Sequence, residues 1–384
     1  MSLGRGVRAA VIVGMGALGT VAAMGAVNRE RFFPAYLFAW LFWLAIAAGS
    51  HALSMLHHLT GGRWGYAIHR PLDAAARTLP LLAAAFVPVL LGLDVLYPWA
   101  RPETVAHDPI LQHRAIWMNV PFFIVRAAVC FLIWIGLSTV LDRWSMQLER
   151  SFDPALERRR RVLSAVGIAA YGLSITFAMF DWVMSLDAHW YSTIFGMIFM
   201  AGQGLSAMAF AVLAALLVAR RGGSGAVAPG TLNDLGNLML AFVMVWAYLS
   251  FSQFLIIWSG NIPEEIVWFA DRTRGGWQVL AVSLLAFQFA LPFLLLLSRR
   301  SKRRAEILVR IAVILLAMRL VDLYWTVQPV FSPRRIDLHP AALAAPAGLG
   351  GLWVALFLVL LFRRPLAPRA EVEEAPGAHP AAAR

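Results

Sequence analysis

The chain has 384 residues, of which 60% are hydrophobic and 14% charged, with a formal net charge of +12 and a single cysteine. A soluble domain carries about 25% charged residues, so this composition excludes an ordinary soluble fold, and the basic balance reads as membrane topology rather than nucleic-acid binding because the cations gather in alternate connections. One thiol, Cys130, excludes an intrachain disulfide, a four-thiolate zinc site and an iron–sulfur cluster held by this chain alone.

Apolar blocks long enough to cross a hydrocarbon core predict about ten transmembrane helices. They fall at 9–27, 36–56, 79–97, 117–139, 162–184, 193–218, 235–259, 277–298, 306–328 and 346–362. The first block has Arg5 and Arg8, an apolar run and the small residues Ala22, Ala23, Gly25 and Ala26, as a signal peptide would. Its length, and the close following Arg29 and Arg31, favour a retained span. Gly14, Gly16 and Gly19 in the same block match the spacing of a dinucleotide fingerprint. That motif needs a preceding strand and an exposed helix start. Inside a span these glycines are expected to allow close helix contact or a bend.

The second block ends on His51, His57 and His58. His51 and His58 lie two turns apart on one helix face, whereas two axial haem ligands would normally come from two facing helices, so haem ligation is not expected. His57 and His58 read as interfacial. His51 is deeper, and reads either as a packed core residue or as a proton-pathway or ligand-contact residue. The remaining histidines are expected in loops or tails. Pro80, Pro88 and Pro292 are candidates to break helices.

Five ionisable residues lie inside blocks: Asp94, Arg126, Asp181, Arg319 and Asp322. Charge inside a bilayer is costly, which makes such residues functional candidates by default. Arg319 and Asp322 are spaced to pair on one helix face. Asp181 and Arg126, on neighbouring helices, suit a buried structural pair, a quinone site or a proton site. Asp94 reads as interfacial. Gln203, Ser206, Ser250, Ser252, Gln253, Tyr324 and Thr326 are polar companions, able to carry water or to join helices.

Of the arginines and the lysine, 22 fall on the side shared by both termini, including Arg158–Arg161 and the 299–304 run, and 8 on the other. This bias places the termini in the cytoplasm. The expected organisation is one polytopic domain over 1–364 and a disordered cytoplasmic tail over 365–384, rich in Ala, Pro and charge.

Two stretches carry a family resemblance. Phe180-Asp-Trp-Val-Met-Ser-Leu-Asp-Ala-His-Trp-Tyr-Ser-Thr-Ile-Phe-Gly196 resembles the corresponding stretch of the ActF-type membrane subunit of bacterial alternative complex III, a quinol:cytochrome c (or cupredoxin) oxidoreductase. The family tends to have proline where Ala188 stands, a departure expected to alter turn rigidity more than chemistry. Ser250-Phe-Ser-Gln-Phe-Leu-Ile-Ile-Trp-Ser-Gly-Asn-Ile-Pro-Glu-Glu265 is similar to a second family segment, with Trp258, Asn261 and Pro263 in matching order. The resemblance covers roughly spans two to nine. It implies the NrfD/polysulfide-reductase membrane fold, with two four-helix bundles (spans 2–5 and 6–9) flanked by spans 1 and 10. It also implies partners: an iron–sulfur subunit, a multihaem cytochrome c and a sister NrfD-like membrane subunit to which quinol oxidation is mainly attributed.

The expectation is therefore an all-α subunit of a respiratory quinol oxidoreductase in the bacterial inner membrane, not catalytic alone, with no metal of its own. Haem c and iron–sulfur clusters would belong to the partners, and a quinone bound to this chain is left open. Asp181 and Arg126 would form its central pair, with Arg319, Asp322 and His51 lining a proton route. Two rivals stand beside this reading: a menaquinol-oxidising NrfD-type anchor of another oxidoreductase, and a secondary transporter with proline-interrupted helices.

Overall fold

The structure is a computed structural model and describes residues 3–222 and 227–363; the tail expected at 365–384 lies outside them. Among the described residues there are helices and turns and no strand. Eight helices are long and apolar enough to cross a membrane: Arg29–Thr60, Arg63–Leu91, Val120–Arg150, Pro154–Leu186, Phe195–Arg220, Pro229–Gly260, Trp277–Leu297 and Pro340–Phe362. An all-α membrane protein agrees with this architecture. Two further helices fall where spans one and nine were expected. Leu3–Val27 has a described apolar stretch at Gly6–Gly19, and Ala305–Val327 carries Glu306, Arg310, Arg319 and Asp322.

Side-chain caps and prolines set the helix ends. Asn28 accepts a hydrogen bond from the Arg31 N–H (3.1 Å), Asn119 from Phe122 (2.9 Å) and Asp153 from Ala155 (2.9 Å), each satisfying a donor that the first turn leaves free. Pro154, Pro229 and Pro340 occupy first turns, where the missing N–H costs nothing. Asn261 ends its helix in the left-handed region at φ 50°, and Pro263 starts the next short helix, Pro263–Arg272.

The third span departs from the sequence expectation. Residues 57–78 read as a polar loop before a span at 79–97, yet Arg63–Ala76 is helix, continued by the short pieces Leu79–Ala84, Val87–Leu91 and Leu93–Leu96. Charges further along it are partnered rather than solvated: Arg70 pairs with Glu149 at 2.9 Å and Ser54 donates to Asp73 at 2.9 Å. Pro80 and Pro88 lie in the first turns of the second and third pieces and interrupt the helix there. His69, expected in a loop, lies in this helix. In the eighth span a wide π segment, Leu284–Ala290, precedes Pro292. Such segments absorb an extra residue and re-aim the side chains that follow.

Arg29–Thr60 is the hub of the fold. It packs against Phe195–Gly222, Arg63–Ala76, Pro340–Phe362, Pro154–Trp182 and Ala305–Val327. A Cβ at Gly49 would collide with the backbone of Gln203, so a glycine is what lets helices Arg29–Thr60 and Phe195–Gly222 touch. Leu3–Val27 packs mainly on Pro340–Phe362. Of the three fingerprint-spaced glycines, Gly14 is a close contact, against Gly351 and Leu352, whereas among the described residues a Cβ added at Gly16 or Gly19 would meet nothing within 4 Å.

Ion pairs and hydrogen bonds gather in two layers at opposite helix ends. The arginine-poor layer joins Arg29 to Asp94 (2.9 Å), Arg31 to Asp337 (3.2 Å) and Arg126 to Asp181 (2.5 Å). The arginine-rich layer joins Arg70 to Glu149, Arg77 to Asp142 (3.4 Å) and Arg160 to Glu157 (2.7 Å).

Candidate functional site

Helix Pro154–Trp182 runs to its end on Asp181 and Trp182. Trp182 locks that end in place. Its ring contacts Trp40 (5.2 Å), Phe86 (4.9 Å), Phe131 (5.6 Å) and Trp134 (5.9 Å), all in the core, and its carbonyl accepts from the Tyr97 hydroxyl at 2.9 Å. Aromatic clusters of this kind bury large area with few rotamers.

The lock aims Asp181 at Arg126, one helix over. Arg126 Nε donates to Asp181 Oδ2 at 2.5 Å and Nη2 to Oδ1 at 2.9 Å, a two-pronged pair of the geometry guanidinium and carboxylate prefer. Trp117 Nε1 donates to Asp181 Oδ1 at 3.0 Å, and Arg126 Nη1 returns a bond to the Trp117 carbonyl at 2.9 Å. The guanidinium carbon also lies 4.3 Å from the ring centres of both Trp117 and Phe122. Trp117, Phe122 and Phe177 are exposed on the outer surface, so Asp181 is buried and Arg126 half-buried beneath an exposed aromatic roof. The sequence placed Asp181 opposite Arg126; it gave no sign of Trp117, which precedes the helix that carries Arg126.

The turn beyond Asp181 is tied down residue by residue. Ser185 donates to the Asp181 carbonyl at 2.5 Å and accepts from Trp99 Nε1 at 3.0 Å. Arg114 donates to the Ala188 carbonyl. Trp190 stacks on Trp268 at 5.0 Å, and Ser192 donates to Gln253 at 3.2 Å, which joins the two family-like stretches directly. At the surface, His189 Nε2 lies 2.6 Å from Asp108 Oδ2. Desolvation alone would raise the Asp108 carboxyl, but the Leu111 N–H, the His189 ring and the Ile110 N–H outweigh it and hold that carboxyl below its ordinary value of 3.8. A depressed acid contributes stability above its unfolded pKa and loses it as pH falls through the lower folded value. The contact between the 108–114 helix and the turn should therefore persist at pH 5 and loosen only below about 3.8. Amide exchange at Ile110 and Leu111 measured across that range checks this; loss of protection by pH 5 would contradict it.

Arg319 and Asp322 form the expected i,i+3 pair, with Arg319 only 3% exposed. Ser206 Oγ accepts from Arg319 Nε at 3.3 Å, and Gln288, from the π segment, donates to Asp322 Oδ2 at 3.1 Å. A Cβ at Gly202 would land on the Arg319 guanidinium. Gln203 accepts from the Tyr171 hydroxyl, linking the fifth and sixth spans one residue further on. Gln288 and Tyr171 are additions to the sequence reading.

His51 is buried on the hub helix and, among the described residues, neither its Nε2 nor the neighbouring Ser50 hydroxyl has a hydrogen-bond partner. It lines a narrow, water-sized crevice near the arginine-rich layer together with Ser54, His58, Asp73, Arg77 and Asp142. His58, expected at the interface, lines the same crevice and bonds Ser164 at 2.9 Å. Among the described residues no direct bond joins Arg126–Asp181, Arg319–Asp322 and His51, so the five candidates occupy three separate polar islands. Asp94 is surface-exposed with Arg29, as an interfacial residue would be. Arg272 was placed in a loop, yet it is buried, donating to the carbonyls of Trp268 (2.8 Å) and Thr326 (2.7 Å) as a shared cap on two helix ends. Compared with protein-family models and with curated proteins, the chain matches none.

Proposed function

We propose that this chain is a membrane subunit of a respiratory quinol:cytochrome c (cupredoxin) oxidoreductase, supporting quinol oxidation and conducting protons. In this reading it has ten spans in the bacterial inner membrane, arranged as two four-helix bundles (spans 2–5 and 6–9) flanked by spans 1 and 10. Both termini and the arginine-rich layer face the cytoplasm. Iron–sulfur clusters and haem c belong to partner subunits.

One observation carries the proposal: a two-pronged pair of buried Asp181 and half-buried Arg126 lies beneath aromatic rings that face outward, where lipid would be. A quinol arriving from the bilayer would meet aromatic surface first and the charged pair next. The carboxylate can accept a hydroxyl proton, and the guanidinium can hold the carboxylate in place throughout. Arg319–Asp322, and His51 in its crevice, would serve proton movement elsewhere in the chain. The absence of a direct bond between the islands means that any transfer between them goes through water.

The test is to isolate the full chain with its native partners from membranes. Co-purifying haem c polypeptides together with quinol:cytochrome c activity is the expected outcome. Quinol oxidation without haem c would favour the menaquinol-oxidising NrfD-type anchor. Solute accumulation in proteoliposomes by the isolated chain would favour a transporter and reject the proposal.

A further inference from the structure

The arginine-rich layer is not uniform. Between spans two and five four of its cations are matched, Arg70 by Glu149, Arg77 by Asp142, and Arg160 and Arg161 by Glu157. The connection between the helices ending at Leu297 and starting at Ala305 is different. It reads Ser298-Arg-Arg-Ser-Lys-Arg-Arg304, and Arg299, Arg300, Arg303 and Arg304 are all exposed. Among the described residues none of these four arginines has an ion-pair partner. Glu306, on the helix that follows, lies 3.7 Å from Arg220.

Lys302 explains how the run is presented. It is the protein's single lysine and it is buried, its stem lying across Gly236, where a Cβ would fall 2.6 Å from Lys302 Cγ. Its ammonium donates to Asn237 Oδ1 at 2.6 Å. The lysine thus pins the connection to the start of helix Pro229–Gly260 and leaves four guanidinium groups facing outward around it. The helix before the run exposes apolar Leu294 and Leu297 within its last turn, and the helix after it exposes Val313 more than two turns along. The cations therefore stand where an apolar surface meets a polar one, at the level of lipid headgroups.

We infer that the 298–304 connection is a docking surface for anionic phospholipid headgroups. Four unpaired guanidinium groups offer paired donors to phosphate oxygens, and the apolar surface beside them suits acyl chains. The inference needs a membrane protein but not the quinol reading, so the two can fail separately.

The experiment uses the full chain in a zwitterionic detergent, with lipid retention read by native mass spectrometry. Phosphatidylglycerol, phosphatidylcholine and inorganic phosphate are each added at matched concentration. Phosphatidylglycerol should be retained and should raise the thermal midpoint, whereas phosphatidylcholine and phosphate should do neither. The variant R299Q/R300Q should weaken phosphatidylglycerol retention by about fivefold for each arginine removed. The variant R334Q/R335Q, on the opposite layer, should leave it unchanged. Should the first variant fail to fold, a wash of the wild type in molar salt, where screening shortens to about 3 Å, should strip phosphatidylglycerol while the protein stays folded. Equal retention of phosphatidylcholine, equal stabilisation by inorganic phosphate, equal loss in both variants, or retention through the salt wash would each overturn the inference.

Discussion

On the quinol reading proposed above, Asp181→Asn in the assembled complex should lower quinol-dependent electron flow by about a hundredfold, the lower end of what a positioned proton acceptor contributes. Asparagine nearly preserves shape. It can still accept from Trp117 Nε1 and from one arm of Arg126, the groups that hold Asp181 now. It cannot take a proton, so a deficit seen with intact assembly points to proton chemistry rather than to packing. Arg126→Leu tests the other half. It removes both prongs and the bond to the Trp117 carbonyl, freeing an exposed aromatic roof that the guanidinium now ties to the helix end. That variant should lower turnover and raise the apparent KM for quinol together, since both the proton acceptor and the aromatic wall lose their fixed positions. The pH profile of electron flow with the Asp181→Asn variant should also lose one limb. Wild-type turnover and wild-type proton release in both assembled variants would remove Arg126 and Asp181 from the function.

What could be read in advance followed from whether the partners share local geometry. Arg319 and Asp322 stand three residues apart, so helix periodicity alone brings them together. Arg126 and Asp181 lie on consecutive helices joined by the short break at Ser151–Asp153, and their depths could be compared from either end. The surroundings of His51 were hidden for the opposite reason. Asp73 and Arg77 come from a stretch whose charges look solvated until Ser54 and Asp142 are seen to satisfy them. Gln288 was hidden because a π segment changes which residues face inward, and no hydropathy pattern marks that change. The glycines make the same point. Gly14, Gly16 and Gly19 look alike in sequence, and only the position of Gly351 on another helix decides which is the contact.

Arg319→Met should be among the most damaging single substitutions in the chain, costing about 3–5 kcal/mol because it strands a buried carboxylate. Arg319 is 3% exposed and the Asp322 side chain 11%, so water offers Asp322 little replacement, and Gln288 Nε2 would be its one remaining side-chain donor. The double variant Arg319→Met/Asp322→Leu removes both charges at once. Replacing a buried pair by apolar residues of similar size is often neutral or stabilising, so the double variant should recover most of the thermal midpoint lost by the single one. That recovery then separates two roles for the pair. If the folded double variant still releases protons at the wild-type rate, Arg319 and Asp322 serve to join the sixth, eighth and ninth helices through Ser206 and Gln288, and the proton route lies elsewhere. If the fold is restored and proton release is lost, the charges are kept for conduction despite their cost in stability. A double variant no more stable than Arg319→Met would show that desolvation of Asp322 is not what the guanidinium offsets, and the electrostatic account of this island would fall.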